Sequence, residues 1–183
     1  MAHPQEKVEA AIAMLKAQGH VVEIQVRGDK GNRWYQIDDW MLVSWEEMQD
    51  LADGVYSLTE LEGLFIRREV ERASEHPDEL AQGVIAEWHT YFELGHADTL
   101  PPEFKELKDR AFEYLNAKEN LDNHRKNLRL VRQRTDEPVP DLDALLEQAA
   151  SHKRAAREVL LKAYRDLLEK KRLLRAAKAK AET

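Results

Sequence analysis

The sequence has 183 residues, of which 43% are hydrophobic and 34% are charged, and its formal net charge is −7 at pH 7. This length and composition suit one domain or two small ones with a helix-rich build, and the absence of cysteine excludes disulfides, thiol nucleophiles and Cys-ligated metals. No apolar run approaches the ~18 residues of a membrane-spanning helix, and the N-terminus lacks an apolar signal core, so we expect a cytoplasmic protein.

The first elements change period from helical to extended. Pro4 favours the first turn of a helix that ends near Gly19. Val22, Ile24 and Val26 then alternate with polar residues, as the buried side of a half-buried strand does. A return strand follows over residues 34–37, the Asp38–Asp39 pair breaks it, and residues 40–43 read as a short third strand or a buried lead-in.

Two short helices follow, each with a capping signal. Ser44 with Glu47 and Ser57 with Glu60 both fit the capping box, in which side chain and backbone satisfy each other's hydrogen bonds. Gly54 separates the two helices, and the second one extends to about Ser74. Residues 1–75 therefore predict a small acidic α+β domain: a helix, a small antiparallel hairpin or meander, and a helix pair.

The remainder of the sequence predicts helices only. A connecting amphipathic helix occupies the region 76–98 and stops near Gly95. Two long helices follow, over 102–134 and 141–180, separated by a proline-containing break. Because the break is short, residues 99–183 predict a long antiparallel helical hairpin that resembles a coiled coil.

A heptad pattern fixes the register of that hairpin. In an antiparallel pair, facing residues have a constant index sum. Three pairs share the sum 274, namely Leu107 with Leu167, Tyr114 with Leu160, and Leu128 with Leu146. Ala111 with Ala163 has the same sum, and small residues there let the helix axes approach closely. The register that fits one of these pairs therefore fits the others, and it places Leu121 opposite Lys153.

Charge is distributed unevenly along the chain. Residues 1–75 carry 8 basic and 15 acidic side chains, whereas residues 152–180 carry 11 basic and 3 acidic ones. An acidic head and a basic last helix predict either different partners for the two ends or mutual screening between them.

The sequence contains no convincing motif for a metal site or a catalytic site. His89, Glu93 and His96 have metal-like spacing, but the second Glu-x-x-His of a di-iron bundle is missing, so no metal or cofactor is expected. Asp38 and Asp39 are interpreted as turn residues, because adjacent strand residues point to opposite faces. No phosphate loop or nucleophile elbow is present, and we do not expect an enzyme.

The two capped helices have the helix-corner-helix order of a DNA-binding helix-turn-helix. Residues 44–65 contain six acidic residues and no Lys or Arg, so a phosphate-lined groove would repel them. They are interpreted as a packing corner whose outer face, if functional, meets a basic protein surface.

We therefore expect a non-enzymatic interaction or assembly protein, of a build frequent among accessory proteins of phages and mobile elements. Its acidic head would dock a protein partner, and its hairpin would act as a spacer or homo-oligomerisation arm. The residues predicted to bind the partner are Trp34, Tyr35, Trp45, Glu46, Asp50, Glu60 and Glu62. The alternative is a nucleic-acid-binding regulator, which would use the basic residues Lys170, Lys171, Arg172, Arg175 and Lys178.

Overall fold

The computed structural model describes residues 3–27 and 32–181, with side chains described up to residue 178. The helices are α1 (Pro4–Ala17), α2 (Trp45–Ala52), α3 (Leu58–Glu75), α4 (Pro77–Glu93), α5 (Pro102–Arg132) and α6 (Pro140–Ala181). The strands are β1 (Val22–Arg27), β2 (Asn32–Ile37) and β3 (Met41–Ser44), and a short 3-10 turn covers Ala97–Thr99. The α+β fold class predicted from the sequence is confirmed.

Contacts divide the chain into two compact units. The first unit joins Met1–Glu69 to Leu168–Thr183, and the second is Val70–Leu167. The first unit is thus built from both ends of the chain. The domain boundaries after residues 75 and 98 stay a prediction. They divide the chain into segments expected to fold independently, whereas the two units are defined by contacts.

The first unit contains an antiparallel sheet with strand order β1-β2-β3. Ile24 pairs with Tyr35, and Tyr35 pairs with Val43, so these side chains share one face of the sheet. That face is buried at Tyr35, Ile37, Met41 and Val43. Together with Val8, Leu15 and Met48, these side chains belong to the buried set of this unit.

The apolar face of β1 departs from the sequence prediction. Val22 is buried, but Ile24 is 59% exposed and Val26 is 67% exposed. The prediction that all three face the core is wrong for the last two. Alternation identifies the face that a side chain shares, but it does not show how far along the strand the opposing layer extends.

The capping signals at the corner are confirmed. Ser44 Oγ accepts the N–H of Glu47, and the Glu47 carboxylate accepts the N–H of Ser44 at 2.9 Å. Ser57 and Glu60 make the same reciprocal pair at 3.2 and 2.8 Å. Gly54, with φ 72°, follows the end of α2 in the left-handed region that favours glycine.

The second unit contains the antiparallel hairpin, and the layer-by-layer pairing predicted for it stays a prediction. Leu107, Ala111 and Tyr114 share one buried cluster with Leu160, Ala163 and Leu167. At the opposite end of the pair, Arg132 Nη2 lies 3.2 Å from Asp143 Oδ1, which fits the same register within one residue. Helix α4 contributes Ala81 and Val84 to the cluster. The residues of the heptad therefore form the core of this unit.

Within the described residues, no helix is both long and apolar enough to cross a membrane.

Candidate functional site

The aromatic residues predicted to bind a partner lie at different depths. Tyr35 is 1% exposed and belongs to the core, so its prediction as a partner-binding residue is wrong. Trp34, its neighbour on the opposite face of the sheet, is half-buried, as is Trp45 at the start of α2. These two indoles retain surface that a partner can contact.

The acidic residues of the corner separate into two groups. Glu46 and Glu60 are exposed and Asp50 is half-buried. Glu46, Asp50 and Asp53 occur at intervals of four and three and therefore share one side of α2. We call these three residues the acidic stripe. Ser57 donates backbone and hydroxyl hydrogen bonds that lower the pKa of Glu60, so that carboxylate is ionised at neutral pH.

Glu62 is the exception, and its predicted exposure is wrong. It is only 2% exposed. Its carboxylate pairs with Arg175, and it lies 3.2 Å from Arg172 Nε. Glu60 and Glu62 are two positions apart on a helix and do not face the same direction, so the outer acidic face ends at Glu60.

The two arginines predicted to contact nucleic acid are the partners of Glu62. The Arg175 side chain is 11% exposed, and its Nη1 also lies 3.5 Å from Asp38 Oδ2. Its guanidinium lies 6.0 Å from the ring centroid of Trp40, a cation–π distance. Burial lowers the pKa of Arg175 from its usual range, and Asp38 acts in the opposite direction. This cation is engaged within the first unit.

The other predicted nucleic-acid contacts are differently placed. Lys170, Lys171 and Lys178 are exposed on α6. Nucleic-acid binding stays a prediction. The exposed cations that could take part in it are these three lysines, because Arg172 and Arg175 pair with Glu62. The charge asymmetry had two interpretations, different partners for the two ends or mutual screening. The ion pairs of Arg172 and Arg175 with acidic residues of the head are examples of mutual screening.

Sequence reasoning missed the role of Asp38. His20 Nδ1 lies 2.8 Å from Asp38 Oδ2, and the N–H of Val21 donates to Asp38 Oδ1 at 2.9 Å. The backbone also joins the two segments, since the N–H of Asp38 donates to the Val21 carbonyl at 2.9 Å. This carboxylate therefore fixes the chain before β1 to the chain after β2. In the sequence, only the excess of acidic residues in the head hinted at such contacts. That excess does not show which residue Asp38 contacts.

Asp38 and Asp39 have an uncommon backbone conformation. Their φ values are 52° and 62°, and the N–H of Trp40 donates to the Ile37 carbonyl across them at 3.4 Å. Ile37 pairs with Met41, so the turn has three residues, 38–40, and the positive φ values at its first two positions favour Gly or Asn. The turn predicted here is confirmed, and its two non-glycine residues hold conformations that typically cost about 1 kcal/mol or more each.

A cavity of about 740 Å³ opens next to this turn, entirely within the first unit. One wall is the segment 18–21, and a second is the turn 38–40. The third wall is α6, which contributes Lys171, Leu174, Arg175, Ala177 and Lys178. Its volume lies within the ~300–1,000 Å³ typical of small-molecule sites.

A second polar cluster lies in the other unit and is structural in character. The Tyr114 hydroxyl donates to Asp78 Oδ1 at 2.6 Å, and Lys118 also binds this carboxylate. Burial alone would raise the pKa of Asp78, but the hydrogen bonds from Lys118 and Tyr114 outweigh burial and lower it. Burial and the Asp78 hydrogen bond raise the pKa of Tyr114. These contacts attach the start of α4 to α5.

Within the described part of the chain, no group of three His, Asp or Glu side chains is arranged to hold a metal ion. His89, Glu93 and His96 in particular do not form such a group.

Comparisons with protein-family models, with curated proteins and with solved structures found no significant match. Functional inference for this chain therefore depends on its own residues.

Proposed function

We propose that this protein is a non-enzymatic interaction module whose first unit binds a basic segment of a partner protein. The proposal depends on the exposed, apolar edge strand β1. It is the edge of a three-stranded sheet, and it presents two exposed apolar side chains, Ile24 and Val26, on one face. Exposed apolar edge strands tend to aggregate unless another strand covers them.

The occupant that best suits this edge is an extended segment of another protein. Among the described residues, no strand pairs with the outer edge of β1. Strand addition satisfies the main-chain hydrogen-bonding groups of such an edge, and side-chain contacts supply specificity. Ile24 and Val26 would contact alternate residues of the added strand.

The charge of the head supports a basic partner. The acidic stripe contributes Glu46 and Asp50, for which no ion-pair partner lies among the described residues, and Asp53, which pairs with Lys7 at 2.6 Å. Charge complementarity of this kind mainly accelerates association and excludes wrong partners. The hairpin of the second unit is proposed to act as a spacer or oligomerisation arm, as the sequence prediction has it.

The test compares capture of partners from the native host by the wild-type protein and by three variants. Val26→Lys places a charge on the edge strand and should abolish capture of a specific, basic protein. Glu46→Lys combined with Asp50→Lys should weaken that capture. Leu130→Lys, at another exposed apolar position (47% exposed) in the second unit, should leave it unchanged.

Two results would overturn the proposal. One is capture that Val26→Lys and Leu130→Lys affect equally, since the edge strand would then have no special role. The other is a purified dimer, seen by light scattering after size exclusion, that Val26→Lys dissociates, because the edge would then be occupied by a second copy of this chain.

A further inference from the structure

The cavity beside the Asp38–Asp39 turn has a wall with a regular arrangement. Lys171, Leu174, Arg175 and Lys178 have the spacing i, i+3, i+4 and i+7, which places them on one side of α6. Two long cationic side chains thus flank an apolar residue and a mostly buried guanidinium. The two lysines are about 10 Å apart along the helix axis.

The charges in the cavity differ in availability. Arg175 and Asp38 are already paired with each other. Lys171, Lys178 and Asp39 are exposed, and no ion-pair partner for any of them lies among the described residues. The groups available to a ligand are therefore two ammonium groups and one carboxylate, an excess of one positive charge.

The apolar part of the lining is unusually exposed. Leu174 is 56% exposed and Val21 is 56% exposed, and both line the cavity together with the indole of Trp40. Apolar side chains of this size gain free energy when a ligand removes them from water. A ligand with an apolar group would therefore gain free energy by covering Leu174 and Val21.

We infer that this cavity binds a small aromatic acid. The ring lies against Trp40 and Leu174, and the carboxylate or phosphate is held by Lys171 and Lys178. Asp39 sits on the rim as the one available anion, where it opposes an acid and limits affinity. The site is distinct from the β1 edge and does not depend on the proposed protein partner.

The test follows the tryptophan indole N–H signals by nitrogen–proton correlation NMR. The chain has 4 tryptophans, and the Trp40 signal is assigned from Trp40→Phe. Naphthoate and naphthyl phosphate are the two anionic probes, and neutral naphthamide is the control ligand. With at least one acid, the Trp40 signal should shift and saturate, while naphthamide should bind more weakly.

Three variants test the charges separately. Lys171→Gln with Lys178→Gln should weaken binding of the acid about five-fold or more. Asp39→Asn, which suits a positive φ, should strengthen it about two-fold because a repulsive charge is removed. Lys16→Gln with Lys105→Gln removes two exposed lysines outside the cavity and should change nothing.

Any of three results overturns the inference. The Trp40 signal fails to shift with both acids, or the neutral naphthamide binds as tightly as the acids. Alternatively, the cavity and control lysine variants lose affinity equally, which would show a general charge effect. Superimposable spectra of the free variants establish that each one is folded.

Discussion

The carboxylate of Glu62 is the most constrained charge among the described residues of the first unit. It is 2% exposed and contacts two guanidinium groups, those of Arg172 and Arg175. Taking charges out of water is costly, and their attraction compensates only when the geometry and remaining hydrogen bonds are good. Removing one partner of such a buried ion pair leaves the other charge buried and uncompensated. The loss of stability in a single variant is therefore larger than the net contribution of the intact pair.

Glu62→Gln should lower the free energy of unfolding by about 3 kcal/mol, since it leaves the mostly buried Arg175 without its closest carboxylate. Urea denaturation measures the change. Glu46→Gln, an exposed position of the same charge, should change stability by no more than about 0.5 kcal/mol. Equal effects of the two variants would mean that Glu62 is not held as the structure has it.

Asp78 makes the second unit sensitive to acid. Its folded pKa lies below the ordinary value, so its contribution is fully present above the unfolded pKa of about 3.9 and is lost as the pH falls through the folded pKa. The difference in unfolding free energy between the wild type and Asp78→Asn should therefore be largest above about pH 5 and shrink on acidification.

The control for this pH dependence is Glu79→Gln. Glu79 is exposed and occupies the same first turn of α4, so the variant removes the same interaction with the helix dipole. Thermal unfolding over a pH series compares the two. A difference for Asp78→Asn that stays constant down to about pH 2 would contradict the assigned hydrogen bonds.

At the scale of elements, the helical hairpin is organised by the layers of its heptads. Leu160 is 0% exposed and lies in one cluster with Tyr114 and Leu107. The alanines Ala111 and Ala163 occupy the same cluster, where a larger side chain would have to displace its neighbours. The buried cluster of this unit thus combines large apolar side chains with alanines.

Leu160→Ala should destabilise the second unit by about 2–5 kcal/mol, the range for removing a fully buried leucine. Val159, the preceding residue of the same helix, is 41% exposed. Val159→Ala should cost little, within about 0.5 kcal/mol, because it removes little buried area and improves helix propensity. Chemical denaturation separates the two, and similar losses would place the core on a different face of α6.

The elements that sequence reasoning predicted are those that local rules specify. The Ser44–Glu47 pair follows from capping chemistry, and the burial of Leu107 and Leu167 follows from heptad spacing. Glu62 and Arg172 are separated by 110 positions, and no local pattern links them. For the same reason the cavity was not predicted, since its walls come from three segments that are distant in sequence. The exposure of Val26 depends on how far the opposing layer extends, which strand alternation does not encode.

At the scale of the whole molecule, the first unit is discontinuous in sequence. The chain leaves this unit after Glu69, forms the second unit, and returns at Leu168. The returning part of α6 supplies the arginines that neutralise Glu62 and Asp38. The acidic head and the basic last helix are therefore complementary parts of one unit, which explains why a net charge of −7 is compatible with a strongly basic helix end.

This discontinuity makes a prediction about fragments. A chain of residues 1–75 should be less stable than the same region in the full protein by about 3 kcal/mol or more, because Glu62 loses both of its guanidinium partners. A synthetic peptide of residues 168–181 should bind this fragment and restore its resistance to proteolysis. The same peptide with Arg172→Gln and Arg175→Gln should fail to do so, although it retains the apolar residues of the helix. If residues 1–75 resist proteolysis equally with and without the peptide, the head folds by itself, and the ion pairs at Glu62 are accessory to it.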